Sequence, residues 1–256
     1  MTALRATGCT AADAALSELM PTGRLRVAIA VGATPSAAFA VRDAAGALHG
    51  VTVDLAAALA DELGVPVEWL AYRSSGEIQN AAARGAWDLA FMPVDAQRRQ
   101  VVAFGAAYHL MRASYLVPAG SPIKRIADAD APWVRIAGVR DTATLRASAL
   151  ASPRAVHLAL DSSEDAVTLM TSGGADAIAL GRESLAATSA RIAGARVLDG
   201  AFLEARTAVA VPRGRPVALA LVSGFVEQAK ATGRVRRWLD AAGLTEASVA
   251  PPGMGG

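Results

Sequence analysis

Short apolar segments rich in β-branched residues alternate with amphipathic segments along nearly the whole chain, and this alternation most constrains the fold. Residues 24–31 read as a buried strand, and residues 51–63 as a helix whose leucines recur at every fourth position. Gly64 and Pro66 follow the helix and end it. Strands separated by helices pair in parallel, with helices on both faces of the sheet. The alternation therefore predicts an α/β fold.

The same alternation continues through two similar units. Further strands are predicted over residues 65–70, 87–91, 113–117, 134–139, 155–160, 176–180, 196–198 and 207–211. Further helices are predicted over residues 77–84, 97–102, 144–150, 163–172, 183–192, 217–231 and 235–242. The proline- and glycine-containing segment 118–122 breaks the pattern and marks the first boundary.

Two such units predict two doubly wound α/β lobes joined by a hinge of two chain crossings. Lobe 1 is expected to comprise residues 24–116 and 208–245, and lobe 2 residues 117–207. Residues 1–23 read as a leader that is disordered at its start, and residues 246–256 as a disordered tail. Lobes of this kind bind ligands at the carboxyl ends of their strands, by closing around them.

Charge and composition argue against several classes of function. The 25 Lys and Arg residues nearly balance 23 Asp and Glu residues, and the basic residues are scattered, which gives nucleic-acid binding no support. A single cysteine, Cys9, excludes an intrachain disulfide. His49, His109 and His157 lie far apart without acidic partners at ligand spacing, so neither a metal site nor a catalytic triad is expected. No glycine-rich phosphate loop is present, and we expect no cofactor.

The start of the chain shows no export signal. Residues 1–19 lack the apolar run of a secretory leader, and no stretch is long and apolar enough to cross a bilayer. The chain as written is therefore expected to be soluble and not exported. A trimmed or misassigned start is the alternative.

Four segments in a fixed order resemble the bacterial extracellular solute-binding proteins of family 3, which deliver polar amino acids to ABC transporters. They are residues 48–55 (LHGVTVDL), 85–90 (GAWDLA), 95–98 (DAQR) with Phe104 and Tyr108, and 173–177 (GGADA). The resemblance spans residues 24–245. It implies the fold of type II periplasmic binding proteins and a periplasmic location, although the missing leader keeps a cytoplasmic one open.

The resemblance also implies a ligand site on lobe 1. Arg98, six residues before Phe104, stands where the family clamps the ligand carboxylate, and a guanidinium suits that role because its planar donors match a carboxylate. The alternative is a surface arginine. In the preceding loop, where the family binds the ligand ammonium, Phe91 and Pro93 offer no polar side chain, which weakens the amine half of the site.

On lobe 2 the resemblance points to the loop before residue 144. Thr142 and the amide of Ala143 stand at a predicted helix N-terminus, where free N–H groups favour a carboxylate; Thr142 could equally be only a helix cap. The family's acidic partner of the ligand ammonium corresponds to Gly181, and Arg182 follows it. With Arg98, Arg182 would select a carboxylate-rich or amine-free ligand, unless it pairs with Glu183 or faces solvent.

Two aromatic residues complete the predicted site. Phe39 and Tyr72 lie in loops where the family sandwiches the body of the ligand, and aromatic faces bury apolar ligand area with little loss of entropy. Phe39 could equally be an ordinary core residue. Arg73 and Ser74 are weaker candidates at the same mouth of the cleft.

These observations favour a monomeric protein that binds a small anionic, carboxylate-bearing metabolite and passes it to the permease of an ABC transporter without changing it. One alternative is an enzyme like the cyclohexadienyl dehydratases, in which Glu183 or Asp141 would act as a general acid. Another is a cytoplasmic small-molecule sensor, although the segment before Arg24 is too short for a helix-turn-helix.

Overall fold

The computed structural model describes residues 11–31, 37–245 and 247–256. Within them the strands are β1 (Leu25–Ala30), β2 (Val41–Arg42), β3 (Leu48–His49), β4 (Val67–Tyr72), β5 (Leu89–Pro93), β6 (Val102–Val117), β7 (Arg135–Val139), β8 (Val156–Leu160), β9 (Ala177–Gly181), β10 (Arg196–Val197), β11 (Leu203–Pro212) and β12 (Ser248–Val249). The α-helices are α1 (Ala11–Leu19), α2 (Val51–Leu63), α3 (Ser75–Ala82), α4 (Ala143–Ala151), α5 (Ser163–Thr171), α6 (Arg182–Ser189), α7 (Pro216–Ala231) and α8 (Arg234–Ala241).

One sheet runs through both halves of the molecule, in the order β4-β1-β5-β11-β6-β9-β7-β8. In the first half β1 pairs in parallel with β4 and β5, and in the second half β7 pairs in parallel with β8 and β9. The halves therefore repeat one plan, with β1 equivalent to β7, β4 to β8 and β5 to β9. The predicted fold class, two doubly wound lobes joined by two crossings, is confirmed.

The two crossings are the long antiparallel strands β6 and β11. β6 pairs with β11 over the first lobe and with β9 over the second. The sequence prediction began this strand at residue 113 and placed a helix over 97–102; the strand begins at Val102, after a 3₁₀ turn over Arg98–Gln100. Alanines and glycine over residues 103–107 hid the strand, because they carry no β-branched signal. The predicted lobe boundaries near residues 117 and 207 stay a prediction, since both fall within these shared strands.

The same ion pair anchors the central strand of each lobe. Asp88, just before β5, accepts hydrogen bonds from the backbone N–H and the guanidinium of Arg26 in β1, at 2.8–3.2 Å. Asp176, just before β9, accepts the same set from Arg135 in β7, at 2.9–3.0 Å. Each pair fixes how two neighbouring strands start. Their carboxyl ends therefore align at the opposite edge, where the lobes face each other.

Both ends of the described chain pack on lobe 1. Leu19 is fully buried, and the Glu18 carboxylate accepts from the N–H groups of Val217 and Ala218 at the start of α7, so the second half of the predicted leader belongs to the fold. The first ten residues lie outside the described part. The expected disorder of the tail is wrong for residues 247–256, because β12 pairs with β6 and the Gly256 N–H donates to Gly105 O. Helix and strand propensities did not reveal this pairing.

No helix in the described part of the chain has the length and apolarity that crossing a membrane requires.

Candidate functional site

A cavity of about 120 Å³ lies where the carboxyl ends of the strands of both lobes meet. Lobe 1 contributes the ends of β1, β4 and β5, and lobe 2 the ends of β7 and β9. Its walls are lined by Ala30, Phe39, Arg73, Ser74, Ser75, Pro93, Met111, Val139, Thr142, Ala143, Thr144, Ser163, Leu180, Gly181, Glu183 and Ser184. The cavity is the crevice that parallel strand ends leave between two α/β units.

Phe39 reaches the cavity because its loop is fastened to the start of α2. The Phe39 carbonyl accepts hydrogen bonds from the N–H and the hydroxyl of Thr52, at 3.3 and 2.9 Å. Gly50, with φ 125°, allows this approach: a Cβ there would lie 2.4 Å from the same carbonyl oxygen. Phe39 thus forms an apolar wall, while its part in ligand binding stays a prediction.

The first turns of four helices supply most of the polar lining. Ser75 begins α3, Ala143 begins α4, Ser163 begins α5, and Glu183 and Ser184 lie in the first turn of α6. The first N–H groups of a helix have no partner within it, and the helix dipole makes its start positive. The cavity therefore favours an anionic group. Thr142 caps α4 by accepting from the Leu145 N–H, and its hydroxyl donates to Val139 O at 2.7 Å. Thr142 also lines the cavity, and its contact with a ligand stays a prediction.

Glu183 is the one carboxylate among the described residues that line the cavity. Its side chain is 17% exposed, and its Oε1 lies 3.5 Å from Nε2 of the buried His109. Its Oε2 lies 3.5 Å from the position that a Cβ of Gly181 would take. The carboxylate of residue 183 therefore occupies the space beside Gly181, the position where an acidic residue was expected and is missing.

Arg98 lies beneath the cavity floor rather than on its surface. Its side chain is 0% exposed, and its guanidinium donates to Pro93 O at 2.8 Å, Ser75 Oγ at 2.8 Å and Gln79 Oε1 at 3.3 Å. Burial lowers its pKa to about 10, and the carboxylate of Asp95 partly offsets this. The predicted contact with a ligand carboxylate is not present in this arrangement. Arg98 instead fixes Ser75 and Pro93, which do line the cavity.

Asp95 links this arginine to the other lobe. Its carboxylate lies 3.5 Å from Arg98 Nε and forms an ion pair with Arg146 of α4. A second bridge joins Asn80 of α3 to the Asp141 carboxylate at 3.1 Å. Asp141 adopts φ 57°, a left-handed conformation that aspartate tolerates better than most residues. Polar contacts therefore link the two lobes across the cleft.

Three predicted site residues lie away from the cavity. Arg182 points out of the cleft, where its guanidinium donates to the carbonyls of Leu198 and Gly200, at 3.0 and 2.7 Å. Phe91 is a core residue in edge-to-face contact with Tyr108. Tyr72 packs beside the core between α3 and the sheet. The expectation that Arg98 and Arg182 form a pair of cationic clamps stays a prediction, and in this structure each guanidinium is bound to protein oxygens.

Sequence reasoning missed several lining residues. Met111 was overlooked because the predicted strand began at residue 113, whereas the strand that carries Met111 begins at Val102. Ser75 and Ser163 were detectable in principle, since each follows a serine that caps a helix after a strand. Among the described residues no group of three His, Cys, Asp or Glu side chains could hold a metal ion.

The family model for bacterial extracellular solute-binding proteins, family 3, matches residues 25–241. The chain belongs to this family. The geometry agrees with this membership, because a cleft between two hinged lobes suits a protein that binds solutes. The search of curated proteins found no match to this chain.

Solved structures of similar fold include amino-acid-binding proteins. An ancestral amino-acid-binding protein, described as a precursor of cyclohexadienyl dehydratase, is 28% identical, with a TM-score of 0.76 over 88% of this chain and 98% of that one. A substrate-binding protein of an amino acid ABC transporter from Streptococcus pneumoniae, bound to L-arginine, is 23% identical, with a TM-score of 0.77 over 92% and 99%. The solute receptor for L-cysteine of Neisseria gonorrhoeae is 21% identical, with a TM-score of 0.78 over 90% and 92%.

Proposed function

We propose that this family 3 protein binds a small amino acid in the interlobe cavity and hands it, unchanged, to the permease of an ABC transporter. The observation that carries the proposal is the mixed polarity of the cavity. Helix N-termini favour an anionic group, while Glu183 favours a cationic one. An α-amino acid carries both charges, on two groups bonded to the same carbon.

The carboxylate of the ligand is assigned to the start of α4. The N–H groups of Ala143 and Thr144 lie at that helix start, and the hydroxyls of Ser75 and Ser184 line the same cavity. Hydrogen bonds to a charged acceptor contribute on the order of 1.5–3 kcal/mol each. A set of neutral donors can therefore replace the arginine clamp that the family resemblance implied.

The ammonium of the ligand is assigned to Glu183. Arg182 and Arg98 are both bound to protein groups, so neither competes with the ligand for this carboxylate. This assignment replaces the expectation of an amine-free or carboxylate-rich ligand, because a second ligand carboxylate would face Glu183 and be repelled.

The size of the cavity limits the side chain of the ligand. Its volume of about 120 Å³ lies below the roughly 300–1,000 Å³ of sites for drug-sized molecules. Phe39, Met111 and Leu180 give it apolar walls. Small amino acids with apolar or thiol side chains fit this description better than extended, charged ones.

A thermal-shift and calorimetry panel tests the proposal. L-alanine, L-cysteine, L-valine and L-arginine would be compared with propionate, which lacks the amine, and with L-alanine methyl ester, which lacks the carboxylate. A ligand at 100 times its Kd stabilises the folded form by about 2.7 kcal/mol. We expect small amino acids to raise the Tm and both analogues to fail. Propionate binding as tightly as L-alanine would exclude the assignment of Glu183.

A second candidate function is catalysis on the same scaffold. It is favoured by one observation: the carboxyl group of Glu183 lies inside a partly apolar cavity, as a general acid would. Incubation with prephenate or arogenate, followed by absorbance, separates the two functions. Turnover that is lost in Glu183→Gln would establish an enzyme, and no turnover alongside amino-acid binding would support the transport role.

The proposed partnership with a permease requires the protein to reside outside the cytoplasmic membrane. Fractionation of the native host with an antibody to this chain tests that requirement. Recovery in the periplasmic fraction supports a transport role, whereas recovery only in the cytoplasm would favour an intracellular sensor.

A further inference from the structure

His109 lies behind the Glu183 carboxylate, on the hinge strand β6, and the ligand site described above gives it no role. Its side chain is 1% exposed, and its Nε2 lies 3.5 Å from Glu183 Oε1. Neither ring nitrogen forms a hydrogen bond with any described group. Buried polar groups without partners are rare in folded proteins and call for an explanation.

The described residues of the neighbouring strands and helix bring no other charge to this imidazole. On β11 the residue opposite His109 is Thr207, whose hydroxyl is also buried without a partner. On β12 the opposite residue is Val249. The charged residues nearby on these elements are engaged elsewhere: Arg206 donates to Gly255 O, and on α7, which packs against β6, Lys230 pairs with Glu227.

The other described residues of β6 and α6 also bring no charge to His109, apart from Glu183. Tyr108, with its ring centroid 6.2 Å from that of His109, has a hydroxyl whose pKa is raised by burial, so it stays neutral. Arg112 pairs with Glu204, and Arg182 points out of the cleft. Of the described residues, Glu183 alone therefore brings a charge within ion-pair distance of this imidazole.

Histidine is the side chain that changes charge between pH 5 and 8 in most settings. While His109 is neutral, Glu183 keeps its full negative charge toward the cavity. Once His109 is protonated, a charge-assisted hydrogen bond to Glu183 becomes available, and the charge that faces the cavity is largely neutralised. The two states offer an ammonium group very different partners.

We propose that His109 is the positioning residue of the ammonium site: it orients Glu183 and sets, by its protonation state, how strongly that carboxylate binds an amine. This inference rests on the proposed function. The protonated imidazole and the ligand ammonium compete for one carboxylate. Ligand affinity is therefore highest when His109 is neutral, and it falls as the pH drops and the imidazole is protonated. Couplings of this kind typically change affinity about 5- to 150-fold, and we expect roughly tenfold between pH 8 and pH 5.

The first test uses protons alone, on the full chain without amino acids. The chain has three histidines, so the imidazole NMR signals of wild type are assigned by comparison with His109→Asn. We expect the His109 signal to titrate at lower pH in Glu183→Gln than in wild type, because the carboxylate that favours the protonated imidazole is gone. The signals of His49 and His157 should not move. A His109 titration that is unchanged in Glu183→Gln would overturn the inference.

The second test measures the linkage to binding. Calorimetry with L-alanine and L-cysteine, in buffers of different ionisation enthalpy, reports protons released on binding. Wild type should release protons on binding and lose about tenfold in affinity from pH 8 to pH 5, while His109→Asn and His109→Gln should show neither effect. His49→Gln, on the exposed β3, is the matched control and should behave as wild type.

The outcomes separate the two proposals. Binding without a His109-dependent pH profile would overturn this inference and leave the proposed function standing. If the NMR titration shows coupling between His109 and Glu183 but no amino acid binds, the interaction of the two side chains is supported and the proposed function is contradicted. If both His109 variants fail to fold, the His109 signal is assigned by elimination with His49→Gln and His157→Gln, and the titration of wild type against Glu183→Gln still decides.

Discussion

The two lobes place a charged residue after equivalent strands, and the two residues have opposite surroundings. Arg98 follows β5 in lobe 1, and Glu183 follows β9 in lobe 2. The arginine is fully buried, with hydrogen bonds to Pro93, Ser75 and Gln79, whereas the glutamate lines the cavity, and His109 is the one charged or titratable partner within ion-pair distance of it among the described residues. A charged group whose donors or acceptors are already bound within the protein supports the site, and one that lacks partners is available to a ligand.

The largest expected effect comes from breaking the lobe 1 side of this comparison. Arg98→Met should lower the free energy of unfolding by about 3–5 kcal/mol, because Asp95 and the carbonyl of Pro93 would lose a buried partner. Urea unfolding measures it. The neighbouring Arg99→Met, at an exposed position, should change stability by less than about 0.5 kcal/mol. An Arg98 variant that is as stable as wild type but no longer binds ligand would instead support direct binding of the ligand carboxylate by Arg98.

Substitution of Glu183, on the lobe 2 side, should change ligand affinity and leave the free energy of unfolding unchanged. Glu183→Gln should weaken amino-acid binding by about 1.5–3 kcal/mol, or roughly 10- to 150-fold, because the ammonium loses its charged partner. Calorimetry measures the affinity, and urea unfolding should give wild-type stability. Glu164→Gln is the matched control, since Glu164 is also the second residue of its helix, yet it pairs with Arg191 away from the cavity. Equal affinity in both variants would refute the assignment.

The contact between the lobes should have a smaller effect. Arg146→Ala removes the partner of Asp95 across the cleft, and partly buried pairs of this kind show coupling energies of about 0.5–3 kcal/mol. We expect a larger radius of gyration in X-ray scattering and several-fold weaker ligand binding. Asn80→Ala, which breaks the second bridge, should act in the same direction and more weakly. Compact scattering profiles identical to wild type would show that these contacts do not close the lobes.

The smallest effect comes from the ion pair between Arg135 and Asp176, which anchors the strands of lobe 2. Hydrogen bonds from Arg135 hold the pKa of Asp176 below its ordinary value. An aspartate whose pKa is lowered in the folded state stabilises the fold at pH values above the ordinary pKa of aspartate. This contribution disappears as the pH falls through the pKa of the folded state. Because Arg135 is 42% exposed, the gain should stay below about 1 kcal/mol. Asp176→Asn should make the free energy of unfolding less dependent on pH between pH 5 and pH 2. The same pH dependence as in wild type would contradict this.

Much of the fold was predictable because its signals are local. The helix over 51–63 was predicted to the residue, since leucine periodicity and the left-handed Gly64 define it without any tertiary contact. The start of β6 and the packing of residues 247–256 were not predictable. Both depend on pairing between segments more than a hundred residues apart, and their alanines and glycines carry no strand signal.

The candidate site was predictable only in part. Thr142 and Ala143, at a helix start, do lie at the cavity, because a strand followed by a helix cap fixes where that loop lies, while their contact with a ligand stays a prediction. The directions of Arg98 and Arg182 were not predictable, since a long side chain can turn toward either side of its strand end. Sequence also could not reveal that Glu183 reaches back over Gly181.

A crystal structure of the complex with the tightest-binding amino acid tests the central claim most directly. The account predicts the ligand ammonium within about 3.2 Å of a Glu183 oxygen and its carboxylate at the N–H groups of Ala143 and Thr144, with Arg98 still bound to Pro93 and Ser75. A ligand carboxylate held by the Arg98 guanidinium, with Glu183 turned away from the amine, would contradict it.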